Sequence, residues 1–229
     1  MKTGISPVVF TLLLLYCGTS AALEYSAKAI AARVVDAETK EPLEGVVVMA
    51  HWQLNGGLEG WSPLGELVVM DAVTDQNGTF HFPAWGPKKI PKGLDWNARL
   101  KDLDPQLLLF KSGYRWQELS NSKSEEQMSH KGPAVRSSDY DGKTIELEKF
   151  KGTPEEYWKH IEYFDISWLQ PLGHHCAWKG MPRMVVALDQ ESNRVGHIQF
   201  VGDLRRNEAE NVREGCGTFA EFLREHRRS

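Results

Sequence analysis

The chain has 229 residues and 41% of them are hydrophobic, which is enough apolar material to bury the core of one domain, with or without an appendage. Its formal net charge of −4 argues against a nucleic-acid-binding module, because such modules need a clustered excess of Lys and Arg to meet phosphates. The basic residues near the C-terminus alternate with Glu, a pattern typical of a solvated helix face.

The N-terminus has the layout of a secretory signal peptide. Lys2 precedes a short apolar run from Val8 to Tyr16, and small residues follow up to Ala22. We therefore expect residues 1–22 to be removed and the mature protein to be secreted, into a periplasm if the source is bacterial. Cys17 follows a Leu-Leu-Tyr sequence that resembles a lipobox, although Tyr16 stands where that signal has a small residue. Membrane attachment through Cys17, or through an uncleaved signal, is the alternative.

The first half of the mature chain shows strand patterns divided by turns. The predicted strands there are Ala29–Asp36, Gly45–Trp52, Leu67–Thr74 and Thr79–Phe82. Asn77-Gly78 predicts a tight hairpin turn, because both residues tolerate a positive φ. The segment 55–65 contains four Gly and one Pro and predicts a long exposed loop.

Three further strands are predicted at Gln106–Lys111, Tyr114–Leu119 and Thr144–Lys149. Residues 83–105 and 120–142 lack periodicity and are expected to be loops. About seven strands are thus expected, the number found in an immunoglobulin-like or transthyretin-like sandwich.

Several of these segments resemble the carboxypeptidase regulatory-like domain, an accessory module of many secreted proteins. The resemblance lies in Thr39, in Pro42–Val48, in Val73–Phe80 and in Lys111–Tyr114. It covers residues 28–149 and implies a seven-stranded antiparallel transthyretin-like β-sandwich, with no reaction attached. Lys40 stands where relatives carry Gly. The His-x-x-Glu pair of the zinc carboxypeptidases that carry this module is missing, so the resemblance implies no peptidase activity.

The pattern changes to helical in residues 153–229. Thr153 and Glu156 form a predicted capping box, and Tyr157, Ile161, Phe164 and Trp168 follow at helical spacing. Further helices are predicted at Met181–Asp189 and Thr218–His226, with the stretch between them ambiguous. Cys176 and Cys216 are the cysteines left after the predicted signal, and we expect them to form a disulfide; two buried free thiols are the alternative.

Two groups of residues are candidates for a site. Glu156 and His160 are four residues apart on one helical face, and with His174 and His175 they offer ligands suited to zinc or copper. The ordinary interpretation is a polar linker between helices. Trp61 and Trp96, in predicted loops, are weak candidates for ligand binding because exposed aromatic rings stack on sugars and peptides.

The sequence therefore predicts a mainly β protein with a small helical C-terminal region. We expect an exported, non-enzymatic binding or structural module of the cell envelope that binds an unknown protein or glycan. No cofactor, nucleic acid or membrane span after signal removal is expected. The alternatives are a small metal-dependent enzyme that uses the His cluster and a lipid-anchored envelope component.

Overall fold

The structure is a computed structural model that describes residues 24–60, 62–101, 103–122, 134–162, 164 and 176–227. Within these ranges the chain is mainly β, with its helices in the C-terminal part, as the sequence predicts. Cys17, Trp61, Trp168, His174 and His175 lie outside the described residues.

Eleven strands are present in the described part of the chain, against the seven expected. They are β1 (Glu24–Ala27), β2 (Ile30–Asp36), β3 (Val47–Gly56), β4 (Ser62–Val73), β5 (Thr79–Phe82), β6 (Trp85–Lys89), β7 (Arg99–Leu100), β8 (Gln106–Phe110), β9 (Gln117–Leu119), β10 (Val135–Arg136) and β11 (Thr144–Leu147). The expectation of an irregular loop over residues 83–105 is wrong, because β6 and β7 lie within it. β10 likewise lies inside the predicted loop 120–142.

The strands form a two-layer sandwich. One layer contains two three-stranded sheets, with the orders β10-β1-β6 and β11-β2-β5, and β1 leads directly into β2. The second layer has the order β4-β3-β8-β9, with β7 also paired to β3. The pairs β1/β10 and β2/β11 are parallel, which corrects the expectation of a fully antiparallel sandwich.

β3 and β4 form a longer hairpin than the sequence suggests. Their pairing extends as far as Gly56 and Ser62, so the predicted loop over 55–65 shrinks to a short turn at its tip. Four of the ten cross-strand pairs of this hairpin, and both of its register shifts, lie in the extension beyond Trp52, and this pairing outweighs the low intrinsic strand preference of the Gly residues.

β3 is buried along its whole length because both of its faces are covered. Val48, Ala50, Trp52 and Leu54 face the core between the two sheets, where they pack with Phe80, Leu107 and Ile145, among others. Val47 and Met49 point the other way, into a second core built with the C-terminal helices. The helical region therefore packs on the outer face of the second sheet as a third layer.

The helical layer begins where its capping signal predicts and contains more helices than expected. The helices are α1 (Pro154–Glu162), α2 (Pro182–Val195), α3 (Gln199–Arg206), α4 (Glu208–Arg213) and α5 (Phe219–His226), with a 3₁₀ turn at Ala177–Gly180. The capping box of α1 is present: Glu156 N–H donates to Thr153 Oγ1 and Thr153 N–H to Glu156 Oε2. Tyr157, Ile161 and Phe164 are buried, as their spacing predicts.

The expected disulfide is present between Cys176 and Cys216, whose Cα atoms are 5.4 Å apart. It ties the 3₁₀ turn to the segment that enters α5.

Candidate functional site

The tip of the long β3–β4 hairpin is a hydrogen-bonded turn. Gly60 N–H donates to Gly57 O at 3.0 Å, which closes the four-residue turn that carries Leu58 and Glu59. Gly57 and Gly60 have φ of +80° and +72°, values that L side chains rarely adopt. A Cβ on Gly60 would also lie 2.6 Å from Arg99 Nη2. The two glycines therefore allow the turn and its contact with β7.

A second turn stands beside the first. Ala98 N–H donates to Asp95 O at 3.0 Å, closing a turn that carries Trp96 and Asn97 in the loop between β6 and β7. Leu58 and Trp96 thus occupy the same position, the second residue, of their respective turns.

Side chains of the second turn bind the first. Gly57 N–H donates to Asp95 Oδ2 at 2.8 Å, and Asn97 Nδ2 donates to Gly57 O. Gly56 leaves room for side chains of the second turn, since a Cβ there would lie 3.1 Å from Asp95 Cβ and 3.2 Å from Asn97 Oδ1. We call the turn Gly57–Gly60 together with the loop of residues 90–98 the loop end of the sandwich.

Leu58 and Trp96 project from the loop end into solvent, with 97% and 87% of their surfaces exposed. Exposed apolar area costs about 25 cal/mol per Å² relative to burial. Because the turns are held together by hydrogen bonds, a partner that covers these side chains has little backbone motion to arrest. The loop end is therefore a preorganised apolar projection.

The charges around this projection are mostly positive. Residues 85–101 contain five basic side chains, Lys88, Lys89, Lys92, Arg99 and Lys101, and one acidic side chain, Asp95. Glu24 pairs with Lys89 at 3.4 Å and Glu59 lies in the first turn. This basic segment contrasts with the net charge of −4 of the whole chain.

A buried polar row crosses the second sheet below the loop end. His51 Nδ1 lies 3.0 Å from Glu66 Oε2, and each side chain has only 1% of its surface exposed. Gln53 Nε2 also donates to Glu66, at 3.4 Å, while Gln106 Nε2 donates to Glu118 Oε1 at 3.0 Å. Charged and amide groups replace the apolar core at this point of the sheet, and hydrogen bonds offset the cost of burying them.

Asp104 is a buried carboxyl group near this row. Burial raises its pKa well above the usual range, and the nearby Arg136 guanidinium opposes that rise only in part. The Gln53 backbone N–H lies close enough to lower the pKa, but neither carboxyl oxygen accepts a hydrogen bond of good geometry from the described residues.

We expect Asp104→Asn to raise the free energy of unfolding at about pH 7 by roughly 1–3 kcal/mol, because an amide carries no charge to desolvate. The folded carboxyl binds its proton more tightly than the unfolded one. The contribution of Asp104 to the free energy of unfolding therefore falls as the pH rises from about 4, the pKa of this carboxyl in the unfolded chain, through its raised pKa in the folded protein. In chemical denaturation, the extra free energy of unfolding of Asp104→Asn over the parent protein should decrease as the pH is lowered towards about 4.

Glu59→Gln is the matched control for Asp104→Asn, since it removes an exposed carboxylate and should change stability little at either pH. A loss of stability for Asp104→Asn at neutral pH would show instead that Asp104 is ionised and paired with Arg136.

The candidate metal ligands that can be located have structural partners. Glu156 caps α1, and the His160 ring stacks between Phe150 and Trp116, with ring centroids 5.4 and 6.0 Å away. Burial and the Arg115 charge lower the pKa of His160, which favours the neutral ring. Among the described residues no group of three or more His, Cys, Asp or Glu side chains is placed to hold a metal ion. His174 and His175 lie outside them, so the four-residue cluster stays a prediction.

Sequence reasoning singled out Trp96 but missed the residues that complete the loop end. Leu58 stood in a predicted loop without a distinguishing signal, and Asp95 and Asn97 gain their role from Gly57, about forty residues away. The buried polar row did leave a signal: His51, Gln53 and Asn55 alternate with Trp52 and Leu54, and this marks one polar face of β3.

Comparison with known proteins assigns no family to this chain. No family model matches it, and no curated protein matches it significantly. The shaft pilin SpaA from Lactobacillus rhamnosus GG is 15% identical with a TM-score of 0.23, over 57% of this chain and 48% of the pilin. This chain thus matches about half of the pilin's length. A 9R-lipoxygenase from Cyanothece PCC8801 is 17% identical with a TM-score of 0.26, over 76% of this chain and 25% of the lipoxygenase.

These likenesses are too weak to support any argument about function, and the fold described above rests on the strand pairing and the two cores of this chain. No helix in the described ranges has the length and apolar character needed to cross a bilayer.

Proposed function

We propose that this protein is an exported, non-enzymatic binding module of a cell envelope, and that the loop end is its recognition surface. The observation that carries the proposal is the pair of joined turns, which hold Leu58 and Trp96 in solvent on a rigid sandwich. Loops on a rigid scaffold are where such modules usually carry recognition. A protein or a glycan of the envelope is the expected class of partner from the sequence.

Export is supported by two independent features. The N-terminal 22 residues have the signal-peptide pattern, and the Cys176–Cys216 disulfide suits an oxidising compartment. A bacterial periplasm is the proposed location, with attachment through Cys17 or an uncleaved signal as the alternative.

The proposed division of the chain is a signal peptide over residues 1–22, a carboxypeptidase regulatory-like sandwich over residues 28–149 and a helical region over residues 153–229. The sandwich supplies the recognition surface, and the helical layer covers the outer face of its second sheet. The metal-dependent enzyme remains a lesser alternative, and no contact among the described residues favours it.

Intact mass spectrometry of the chain exported through its own N-terminus tests this proposal. We expect a mature protein that begins at Leu23 and is lighter by a pair of hydrogens than the same protein after reduction. Retention in the cytoplasm with both thiols free would overturn the export proposal. An acyl mass on Cys17 would instead establish the lipid-anchored alternative.

A further inference from the structure

We propose that the loop end docks on an anionic lipid surface. This inference rests on the proposed function, because export places the protein beside a membrane, and it replaces the general protein or glycan partner by lipid headgroups. Three observations favour a lipid surface as the partner of the loop end: the shape of the apolar projection, the charges around it and the place where the N-terminus enters the fold.

The shape of the loop end suits a deformable surface. Leu58 and Trp96 stand at the corners of two adjacent turns and are almost fully exposed, so they form a projection that can enter the headgroup region. The indole of Trp has an apolar body and a polar N–H, a combination that prefers the boundary between lipid and water. Two joined turns can insert together without breaking their shared hydrogen bonds.

The charges around the projection complement anionic headgroups. Residues 85–101 contain five basic residues and one acidic residue. With Glu59 of the first turn and Glu24, the ion-pair partner of Lys89, also counted, this end has an excess of two positive charges on a chain whose net charge is −4. The Asp95 carboxylate is engaged by Gly57 N–H within the turn. Basic side chains near an anionic surface strengthen binding to it, and burial of the apolar side chains adds to that binding.

The N-terminus enters the fold at this same end. Glu24 pairs with Lys89, the last residue of β6 before the loop that carries Trp96. The next residue, Tyr25, accepts a hydrogen bond from Leu100 N–H through its hydroxyl, and Leu100 lies in β7 beside the second turn. Glu24 lies eight residues after Tyr16, the end of the apolar run, which gives a reach of at most about 29 Å. In a membrane-tethered precursor, the loop end is therefore held close to the bilayer.

Co-sedimentation of the exported protein with lipid vesicles tests the inference. The vesicles contain phosphatidylglycerol with phosphatidylethanolamine in one set and phosphatidylcholine alone in the other. We expect binding to the anionic set that weakens as salt is raised. Leu58→Ser combined with Trp96→Ser should weaken it by about tenfold or more, because the apolar area no longer leaves water.

Matched variants separate the loop end from general surface effects. Lys88→Gln with Lys92→Gln should weaken binding to anionic vesicles by about fivefold or more. The control pair Lys143→Gln with Lys149→Gln removes the same charge from exposed sites around β11 and should leave binding unchanged. Val212→Ser, a half-exposed apolar residue of α4, is the control for the apolar change. Circular dichroism and the intact disulfide check that each variant is folded.

Two outcomes would overturn the inference. Absence of binding to anionic vesicles by the folded protein would leave a protein or glycan as the partner of the loop end. Equal binding to both vesicle sets, unaffected by the Leu58 and Trp96 variants, would assign membrane contact to the N-terminal segment alone. Neither outcome affects the mass measurement that tests export, so a failure of this inference is distinguishable from a failure of the proposed function.

Discussion

Replacing Arg205 and Arg227 together by Ala should destabilise the protein by about 3 kcal/mol or more, since it leaves a buried carboxylate without its cations. The Asp189 side chain is 0% exposed and pairs with both arginines, through Oδ1 with Arg205 at 2.7 Å and through Oδ2 with Arg227. Asn193 Nδ2 donates to Oδ2 at 3.3 Å. One carboxylate therefore links α2, α3 and the end of α5.

Removing the two arginines should cost more stability than removing the carboxylate that they share. The two arginines have about half of their side-chain surface exposed, so they can return to water when the carboxylate is removed, whereas Asp189 cannot reach solvent when the arginines are removed. We expect Asp189→Asn to cost less than the double arginine substitution, roughly 1–2 kcal/mol. Chemical denaturation followed by circular dichroism measures both.

Arg206→Ala combined with Arg213→Ala is the matched control. These exposed arginines form ion pairs three residues apart within α3 and α4, with the partly buried Asp203 and the exposed Glu210. Such pairs are worth well under about 1 kcal/mol. If the Arg205 and Arg227 variant were no less stable than this control, the buried carboxylate would not be the link between the helices.

Loss of the disulfide is the second large effect. Cys176 and Cys216 are 40 residues apart in sequence, and closing a loop of that size lowers the entropy of the unfolded chain enough to stabilise the fold by about 4 kcal/mol. We expect Cys176→Ser combined with Cys216→Ser to lose about 2–4 kcal/mol, because native strain and residual unfolded structure reduce the ideal value. Urea denaturation of the variant and the parent measures the difference.

We expect the loss of stability on removing the disulfide to affect mainly the helical layer. Cys216 is buried in the second core, and its carbonyl accepts a hydrogen bond from Lys179 Nζ at 3.0 Å, so both ends of the bridge belong to this layer. Reduction of the parent protein without substitution is the control and should reproduce the loss. An unchanged urea midpoint in the double Ser variant would show that packing alone holds the 3₁₀ turn against α5.

Features that depend on neighbouring residues could be predicted from the sequence. Asn77-Gly78 lies between β4 and β5 in a tight turn, where Asp75 Oδ1 accepts hydrogen bonds from the backbone, and Thr153 with Glu156 starts α1. The fold class, a mainly β sandwich followed by helices, followed from the switch in apolar period from two to 3.6 residues. The two cysteines of the expected mature chain left one intramolecular pairing, which the structure contains.

Arrangements that join distant segments could not be predicted in this way and are seen in the three-dimensional structure. The parallel pairing of β2 with β11 unites residues about 110 positions apart, and periodicity within one strand carries no information about its neighbour. The loop end depends on Asp95 and Asn97 reaching Gly57, and the polar row on His51 meeting Glu66 across the long hairpin. Burial of the two apolar cores selects one packing of the layers. That packing brings these polar groups together, and because the groups are far apart in the chain, the sequence around each of them does not predict the contact.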